Sequence, residues 1–113
     1  MRYVILIMDT PKARALSDAE RGAWMIEVMA WYEKWGMSAK LVDGGDQLDS
    51  ADKARTIRAT GVTDGPFMEA NEVLGGYSAL ETDTIDEAVE IARTWPGVDR
   101  GWITIEVRPV FAR

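Results

Sequence analysis

One aspartate is the first candidate for chemistry, and it lies in the stretch 62–67, which reads VTDGPF. Gly65 can adopt positive φ, whereas Pro66 fixes φ and has no N–H to donate, so the pair predicts a turn. The Asp64 carboxylate can bond to the backbone two residues further on and close that turn. In a partly desolvated site such a carboxylate could act as a general base. Alternatively, Asp64 only holds a connection between two strands.

Three charged side chains on predicted strands are the next candidates, because they point away from the helices. They are Arg58, Glu106 and Arg108. Buried charges must be paired, so one reading is that Glu106 pairs with either arginine and has no other role. The other reading is that the set lines a small pocket for an anion. Tyr77 is a further candidate for binding the same ligand.

Histidine and cysteine are both absent from the sequence, which limits the chemistry that the chain can perform. Disulfides, thiolate catalysis, Ser-His triads and His/Cys zinc sites are therefore excluded. An acidic run at 43–52 lacks the glycine and the closing glutamate of a calcium-binding EF-hand loop. We interpret it as a solvated loop, and we predict neither a metal nor a cofactor.

Length and charge indicate one globular domain over residues 1–113, with 47% hydrophobic and 28% charged residues. The formal net charge of −6 argues against nucleic acid and against an anionic membrane surface as partners. No apolar run approaches the roughly 20 residues of a membrane span. The first residues lack the pattern of a signal peptide, so we expect a cytoplasmic protein.

Hydrophobic periodicity predicts five strands and two helices in the order β-α-β-β-β-α-β. The capping-box spacings at 17–20 and 84–87 predict helices that run to about Trp35 and Trp95. The strands are expected at 3–8, 37–42, 53–60, 75–82 and 102–110, with residues 44–46 as a loop. Three tryptophans give the first helix a wide apolar arc, which favours core packing with some interface over cofactor stacking.

The first strand is apolar on both of its alternating faces, whereas two helices can cover only one face of a sheet. Something else must therefore cover the second face of the predicted α+β sandwich. A self-complementary homodimer is the simplest answer. A pocket that binds a ligand could then lie between that second face and the partner subunit.

The stretch VTDGPF, followed by Glu69, Glu72 and Leu-Gly-Gly-Tyr at 74–77, resembles the DGPF-motif branch of the YciI-like proteins. The opening strand and the closing Ile-Glu-Val-Arg-Pro-Val at 105–110 are similar to the usual ends of that branch. The resemblance covers nearly the whole chain. It implies a ferredoxin-like fold, with an antiparallel sheet and two helices on one face, in a dimeric α/β-barrel-like assembly.

The resemblance also implies a mechanism in which an aspartate near this turn works with a histidine from the end of the first strand. Asp64 matches the aspartate, but this chain has no histidine to match the second residue. Asp9 lies near the expected position and could supply a second carboxylate in its place.

Two functions follow from these observations. The first is binding of a small polar or anionic molecule near the Asp64 turn, with Asp64 as the candidate catalytic base and Arg58, Tyr77, Glu106 and Arg108 as candidate ligand-binding residues. The second is a non-catalytic module that binds a protein partner. The resemblance links that module to sigma-factor or stress regulation, because similar proteins are often encoded beside extracytoplasmic-function sigma factors.

Overall fold

The computed structural model of the chain describes residues 1–65 and 71–112. The predicted Gly65-Pro66 turn continues into residues 66–70, which lie outside the described residues. The strands are β1 (Arg2–Asp9), β2 (Leu41–Gln47), β3 (Arg55–Arg58), β4 (Gly61–Asp64), β5 (Val73–Glu81) and β6 (Ile103–Pro109). The helices are α1 (Pro11–Arg14), α2 (Asp18–Gly36) and α3 (Ile85–Ala92), with a 3₁₀ turn at Ala51–Lys53.

Four strands form an antiparallel sheet in the order β2-β5-β1-β6. The predicted α+β class and ferredoxin-like arrangement are confirmed, because the strand after α2 and the strand after α3 occupy the two edges. Helices α2 and α3 pack on one face of this sheet, where Ile5 is completely buried and Trp24 and Ile91 are nearly so.

The central strand β1 shows why two apolar faces were expected. Tyr3, Ile5 and Ile7 are buried in the core under the helices. Val4 and Leu6, which alternate with them, are only half-buried on the opposite face of the sheet. That second face is therefore apolar at its centre and is not fully covered within a single chain.

The predicted cap of the long helix is confirmed in both of its hydrogen bonds. The Glu20 amide donates to Ser17 Oγ at 3.2 Å, and the Ser17 amide donates to Glu20 Oε1 at 2.9 Å. At α3 the Thr84 hydroxyl accepts from the Glu87 amide, but the Glu87 carboxylate accepts from the Asp83 amide and pairs with Lys40 instead. The second predicted capping box is therefore only half formed.

The predicted second strand was placed too early in the chain, and the glycine loop after it is part of a strand. Strand β2 spans Leu41–Gln47 and contains two register shifts against β5. Gly45 has φ of 67°, and a Cβ there would lie 1.8 Å from the Tyr77 carbonyl oxygen. Glycines that normally signal a loop here allow an edge strand to bulge against its neighbour.

The third strand, expected at 53–60 in the single sheet, is shorter and lies outside the main sheet. Residues 55–58 pair with residues 61–64 as a separate hairpin, with Ile57 opposite Val62, and β3 and β4 do not join the main sheet. Alternation of side chains shows that a segment is extended but does not specify the strand beside it. Smaller differences are the early end of α3 at Ala92, the start of β5 at Val73 and the short helix α1, which was not predicted.

Candidate functional site

A cavity of about 390 Å³ lies between α2 and the β2 end of the sheet. Its apolar walls come from β1, α2, the segment after α3 and the start of β6: Ile7, Trp24, Met25, Val28, Trp95 and Ile103. The volume lies within the range of sites that bind small molecules. The sequence placed the pocket on the other face of the sheet, whereas this cavity is on the face that the helices cover.

The two tryptophans of the cavity contact each other, and each has a partner for its indole N–H. Trp24 and Trp95 meet edge to face, with ring centroids 6.4 Å apart and an interplanar angle of 85°. Trp24 Nε1 donates to the Pro96 carbonyl at 2.8 Å, and Trp95 Nε1 donates to the Tyr32 hydroxyl at 3.3 Å. The aromatic wall therefore offers flat apolar surface rather than hydrogen-bond donors.

A hydrogen-bond network behind this wall connects α2 to two strands. Ser78, on β5, is completely buried, and its hydroxyl donates to the Gly44 carbonyl of β2 at 2.7 Å. Since that bond uses the one hydroxyl proton of Ser78, the Tyr32 hydroxyl must be the donor in its 2.7 Å contact with Ser78 Oγ. The network fixes the Tyr32 ring in the cavity and holds the edge strand β2 against β5.

Asp9 supplies a half-buried carboxylate at the end of β1, on the same face of the strand as Ile7. Strand β5 has a bulge here, because Ile7 pairs with Gly76 and Met8 with Leu74, leaving Gly75 as the extra residue. A Cβ at Gly75 would lie 2.7 Å from Asp9 Oδ2, so the glycine leaves room for the carboxylate.

Burial raises the pKa of Asp9 above its ordinary value of 3.8, while the positive charges of Arg21 and Arg14 act in the opposite direction. Desolvation is the larger effect, because it penalises the ionised form of a half-buried carboxylate. A carboxyl group with a raised pKa at the wall of a cavity can exchange a proton with a bound molecule.

A second cavity, of about 580 Å³, adjoins the first and is more polar. Five residues line both cavities: Asp9, Arg21, Gln47, Leu48 and Gly75. The second cavity adds Arg14. Arg21 donates to the Ala13 carbonyl at 2.8 Å, and Arg14 donates to the Asp9 carbonyl at 3.2 Å and to the Asn71 carbonyl. These backbone bonds orient both guanidinium groups at the cleft.

Asp64, the predicted catalytic base, lies at the end of β4 with 89% of its side chain exposed. Its Oδ1 pairs with Arg55 Nε of β3 at 3.1 Å, and it is not among the residues that line the two cavities. Arg58 is also on the hairpin, where it donates to Thr63 Oγ1 at 3.4 Å. The structure therefore separates these two residues from the cavities, and their predicted roles stay predictions.

The other predicted binding residues lie on the main sheet. Glu106 and Arg108 are on the helix-free face of β6, with Oε2 and Nε 3.5 Å apart, which matches the pairing reading. Tyr77 lines the edge of the first cavity and donates to Asp46 Oδ2 at 2.6 Å. That bond raises the pKa of Tyr77. Whether any of these side chains binds a ligand stays a prediction.

Sequence reasoning named Asp9 only as a substitute for a missing histidine, and it did not name the two arginines of the cleft. A usable signal exists for Arg21, which precedes the buried Trp24 by three residues and so lies on the same face of α2. Arg14 gave no comparable signal, because its place depends on the short helix α1 and on Asn71.

Within residues 1–65 and 71–112, no group of three acidic side chains is placed to hold a metal ion. In the same part of the chain, no helix has both the length and the apolar character needed to cross a membrane.

Comparison of the whole fold with solved structures finds a similar chain in 5-chloro-2-hydroxyhydroquinone dehydrochlorinase (TftG) from Burkholderia phenoliruptrix AC1100, determined in complex with 2,5-dihydroxybenzoquinone. The TM-score is 0.58 at 16% identity, and the match covers 100% of this chain and 96% of that one. At this identity the likeness shows a shared fold.

Comparison of sequences gives a closer relation. The uncharacterized protein R00369 of Rhizobium meliloti (strain 1021) is 30% identical over 115 residues, which covers 97% of this chain and 92% of that protein. The family model described as the YCII-related domain matches residues 1–112. The resemblance to YciI-like proteins is thus confirmed, whereas the DGPF branch stays a prediction: the chain belongs to the YCII-related domain family.

Proposed function

We propose that this protein binds a small molecule in the cavity between α2 and the sheet, and that Asp9 exchanges a proton with it. The observation that carries the proposal is the half-buried Asp9 carboxylate, which faces both cavities and has a raised pKa. Among the described residues, no side chain donates a hydrogen bond to this carboxylate. Its proton-accepting oxygens are therefore available to a ligand.

Proton transfer suits this arrangement on physical grounds. A raised pKa brings a carboxyl group closer to the pH at which it can both accept and release a proton. The apolar wall excludes water from one side of the site, and Arg21 and Arg14 support the ionised form between transfers. The similar fold of TftG belongs to a protein named for dehydrochlorination, a reaction that removes a proton together with chloride.

The test compares two candidate carboxylates by mutation of each to the isosteric amide. Purified protein is screened by thermal melting against a panel of metabolites, and each compound that binds is then assayed for turnover. A ligand at about 100 times its Kd adds roughly 2.7 kcal/mol of stability. We expect Asp9→Asn to lower turnover by about 10²-fold or more, and Asp64→Asn to leave it unchanged.

Folding of Asp9→Asn can be checked by the same melts, and the sign of the effect follows from the pKa. A raised pKa means that the stability contributed by neutral Asp9 is complete below the unfolded value of 3.8 and is lost as the pH rises through the folded value. Asn carries no charge and avoids that loss, so the variant should be no less stable than the native protein at pH 7. Loss of turnover in Asp64→Asn but not in Asp9→Asn would transfer the site to the predicted turn.

The protein-binding module remains a second candidate, favoured by exposed apolar side chains outside the cavity. On the outer side of α2, Ile26 is 72% exposed and Met29 is similarly open to solvent. On the hairpin, the cross-strand neighbours Ile57 and Val62 are both exposed. If no compound of the panel raises the melting temperature, protein binding through these surfaces becomes the better candidate function.

We also propose that the protein is a homodimer whose subunits pack through the helix-free face of the sheet. The support is the half-buried row of Val4, Leu6 and Met8 along the middle of that face, beside Ala79 of β5. Isologous packing of two such faces would remove this apolar surface from water.

A further inference from the structure

We infer that the ligand of this cleft is an aromatic carboxylate, with its ring against the Trp24 and Trp95 wall and its carboxylate on Arg14 and Arg21. The inference rests on the proposed binding function and adds the chemical class of the ligand. It is carried by the division of one cleft into an apolar compartment and a polar compartment that contains two arginines.

The two cavities form one cleft because they share their junction. Asp9, Arg21 and Gly75 line both of them. The shared wall is completed by Gln47, the last residue of β2, and by Leu48, which follows it. A single molecule can therefore extend from the first cavity into the second. The ends of such a molecule would meet different surroundings, which requires a ligand with one apolar part and one charged part.

The first compartment matches a flat ring without polar substituents. Its tryptophan N–H groups are already bonded within the protein, and the Tyr32 hydroxyl both accepts from Trp95 and donates to Ser78. A polar substituent placed against the tryptophan wall would lose its bonds to water and find few partners there. An aromatic ring has no hydrogen bonds to water to lose, and it gains edge-to-face contacts with the indoles.

The second compartment offers donors for an anion, because Arg14 and Arg21 line it beside the carboxylates of Asp9 and Asp49. In the part of the chain that the structure describes, neither Arg14 nor Arg21 forms an ion pair with a carboxylate. Asp49, which also lines this compartment, is paired with Lys53 at 3.0 Å. A guanidinium presents five N–H donors, and the backbone bonds of each arginine use only some of them.

A carboxylate is the anion that these donors suit best. Its two oxygens match the paired N–H groups of a guanidinium, and such charge-assisted bonds are roughly twice as strong as neutral ones. Asp9, which lines both compartments, would then lie near the junction of ring and carboxylate.

The experiment measures binding of four probes by quenching of tryptophan fluorescence, at pH 7 and fixed salt. The probes are benzoate, its neutral isostere benzamide, the non-aromatic cyclohexanecarboxylate, and acetate. We expect benzoate to bind at least tenfold more tightly than benzamide, since hydrogen bonds to charged groups are among the stronger ones. Cyclohexanecarboxylate should bind several-fold more weakly than benzoate, and acetate more weakly still.

Variants of the two arginines test whether the carboxylate binds in the second compartment. Arg21→Gln and Arg14→Gln should each remove most of the preference for benzoate over benzamide, while benzamide binding stays within about twofold. Arg93→Gln is the matched control, because Arg93, the exposed residue directly after α3, pairs with Glu90 rather than lining the cleft. It should leave all four affinities unchanged, and thermal melts will show that each variant is folded.

Failure of this inference can be told apart from failure of the proposed function. Benzoate that binds no better than benzamide, or a preference that survives both arginine variants, overturns the ligand class. If neutral compounds of the wider panel still bind and turn over in a manner that depends on Asp9, the proposed function stands without it. If no compound binds at all, both fail together.

Discussion

At the scale of single residues, the proposed site depends on Asp9 and Gly75, which nothing in the sequence distinguishes from other residues of their types. Asp9 is one of 19 acidic residues, and Gly75 is one of 10 glycines. The bulge in β5 makes them a pair, because it leaves Gly75 opposite the carboxylate with no side chain to displace it. Glycine at position 75 is thus a requirement of the proposed chemistry.

Gly75→Ala is the sharpest test at this scale. The added Cβ would lie 2.7 Å from Asp9 Oδ2, and the end of a side chain moves more easily than backbone. Gly75 has no positive φ, so the backbone can accept alanine. We therefore expect a folded protein that melts within a few degrees of the native one, but with turnover or ligand affinity reduced by about tenfold or more because the carboxylate is displaced.

Gly44→Ala is the matched control for that variant. Gly44 also lines the first cavity, but a Cβ there would have no atom within 4 Å. Native behaviour is expected. Equal losses in both alanine variants would mean that the cavity itself, rather than the place of Asp9, was disturbed.

At the scale of elements, the Tyr32 hydroxyl connects α2, the segment after α3 and strand β5. It accepts from Trp95 Nε1 and donates to Ser78, which in turn bonds to the Gly44 carbonyl of β2. One side chain thus fixes the helix, the aromatic wall and the edge strand relative to one another.

Tyr32→Phe should destabilise the protein by about 1–3 kcal/mol, because the buried Trp95 N–H loses its acceptor while the ring remains. Denaturant or thermal unfolding measures the loss. Tyr3→Phe is the control, since the Tyr3 hydroxyl makes only a 3.7 Å contact with Met1 Sδ and its ring is buried, more fully than the partly buried ring of Tyr32. Equal destabilisation by the two changes would show that the network contributes nothing beyond burial of the ring.

The features of these elements that depend only on neighbouring residues could be predicted from the sequence. The Ser17 cap was predictable, because both of its bonds form within four residues. The bounds of β2 and the pairing of β3 with β4 were not, because bulges and strand partners depend on segments that are distant in the chain. The same limit applies to the site, where Asp9 could be named but its cavity and arginines could not.

At the scale of the whole molecule, the two faces of the sheet have different roles. The helix-covered face contains the core and the cleft, and the other face presents apolar side chains that a second subunit would cover. The proposed dimer would therefore leave the cleft on α2's side of each subunit, and each subunit would carry its own ligand.

Leu6→Glu tests this arrangement, because it places a charge in the middle of the helix-free face. Light scattering at micromolar concentration should find a dimer for the native protein and a monomer for the variant, since an unpaired charge is costly to bury. Ile26→Glu, on the outer face of α2, should remain dimeric. A native monomer would contradict the proposal outright, and a monomeric Ile26→Glu variant would move the interface to α2.

The irregular strand β2 has a consequence for how far such association can go. An edge strand with free N–H and C=O groups is a template on which further strands can add and grow into aggregates. Here β2 is bent by two register shifts and carries Asp43 and Asp46, while β6 at the opposite edge carries charged residues and ends at Pro109. Both borders of the sheet are thus poor templates, so growth by strand addition is blocked and assembly through the face would be self-limiting.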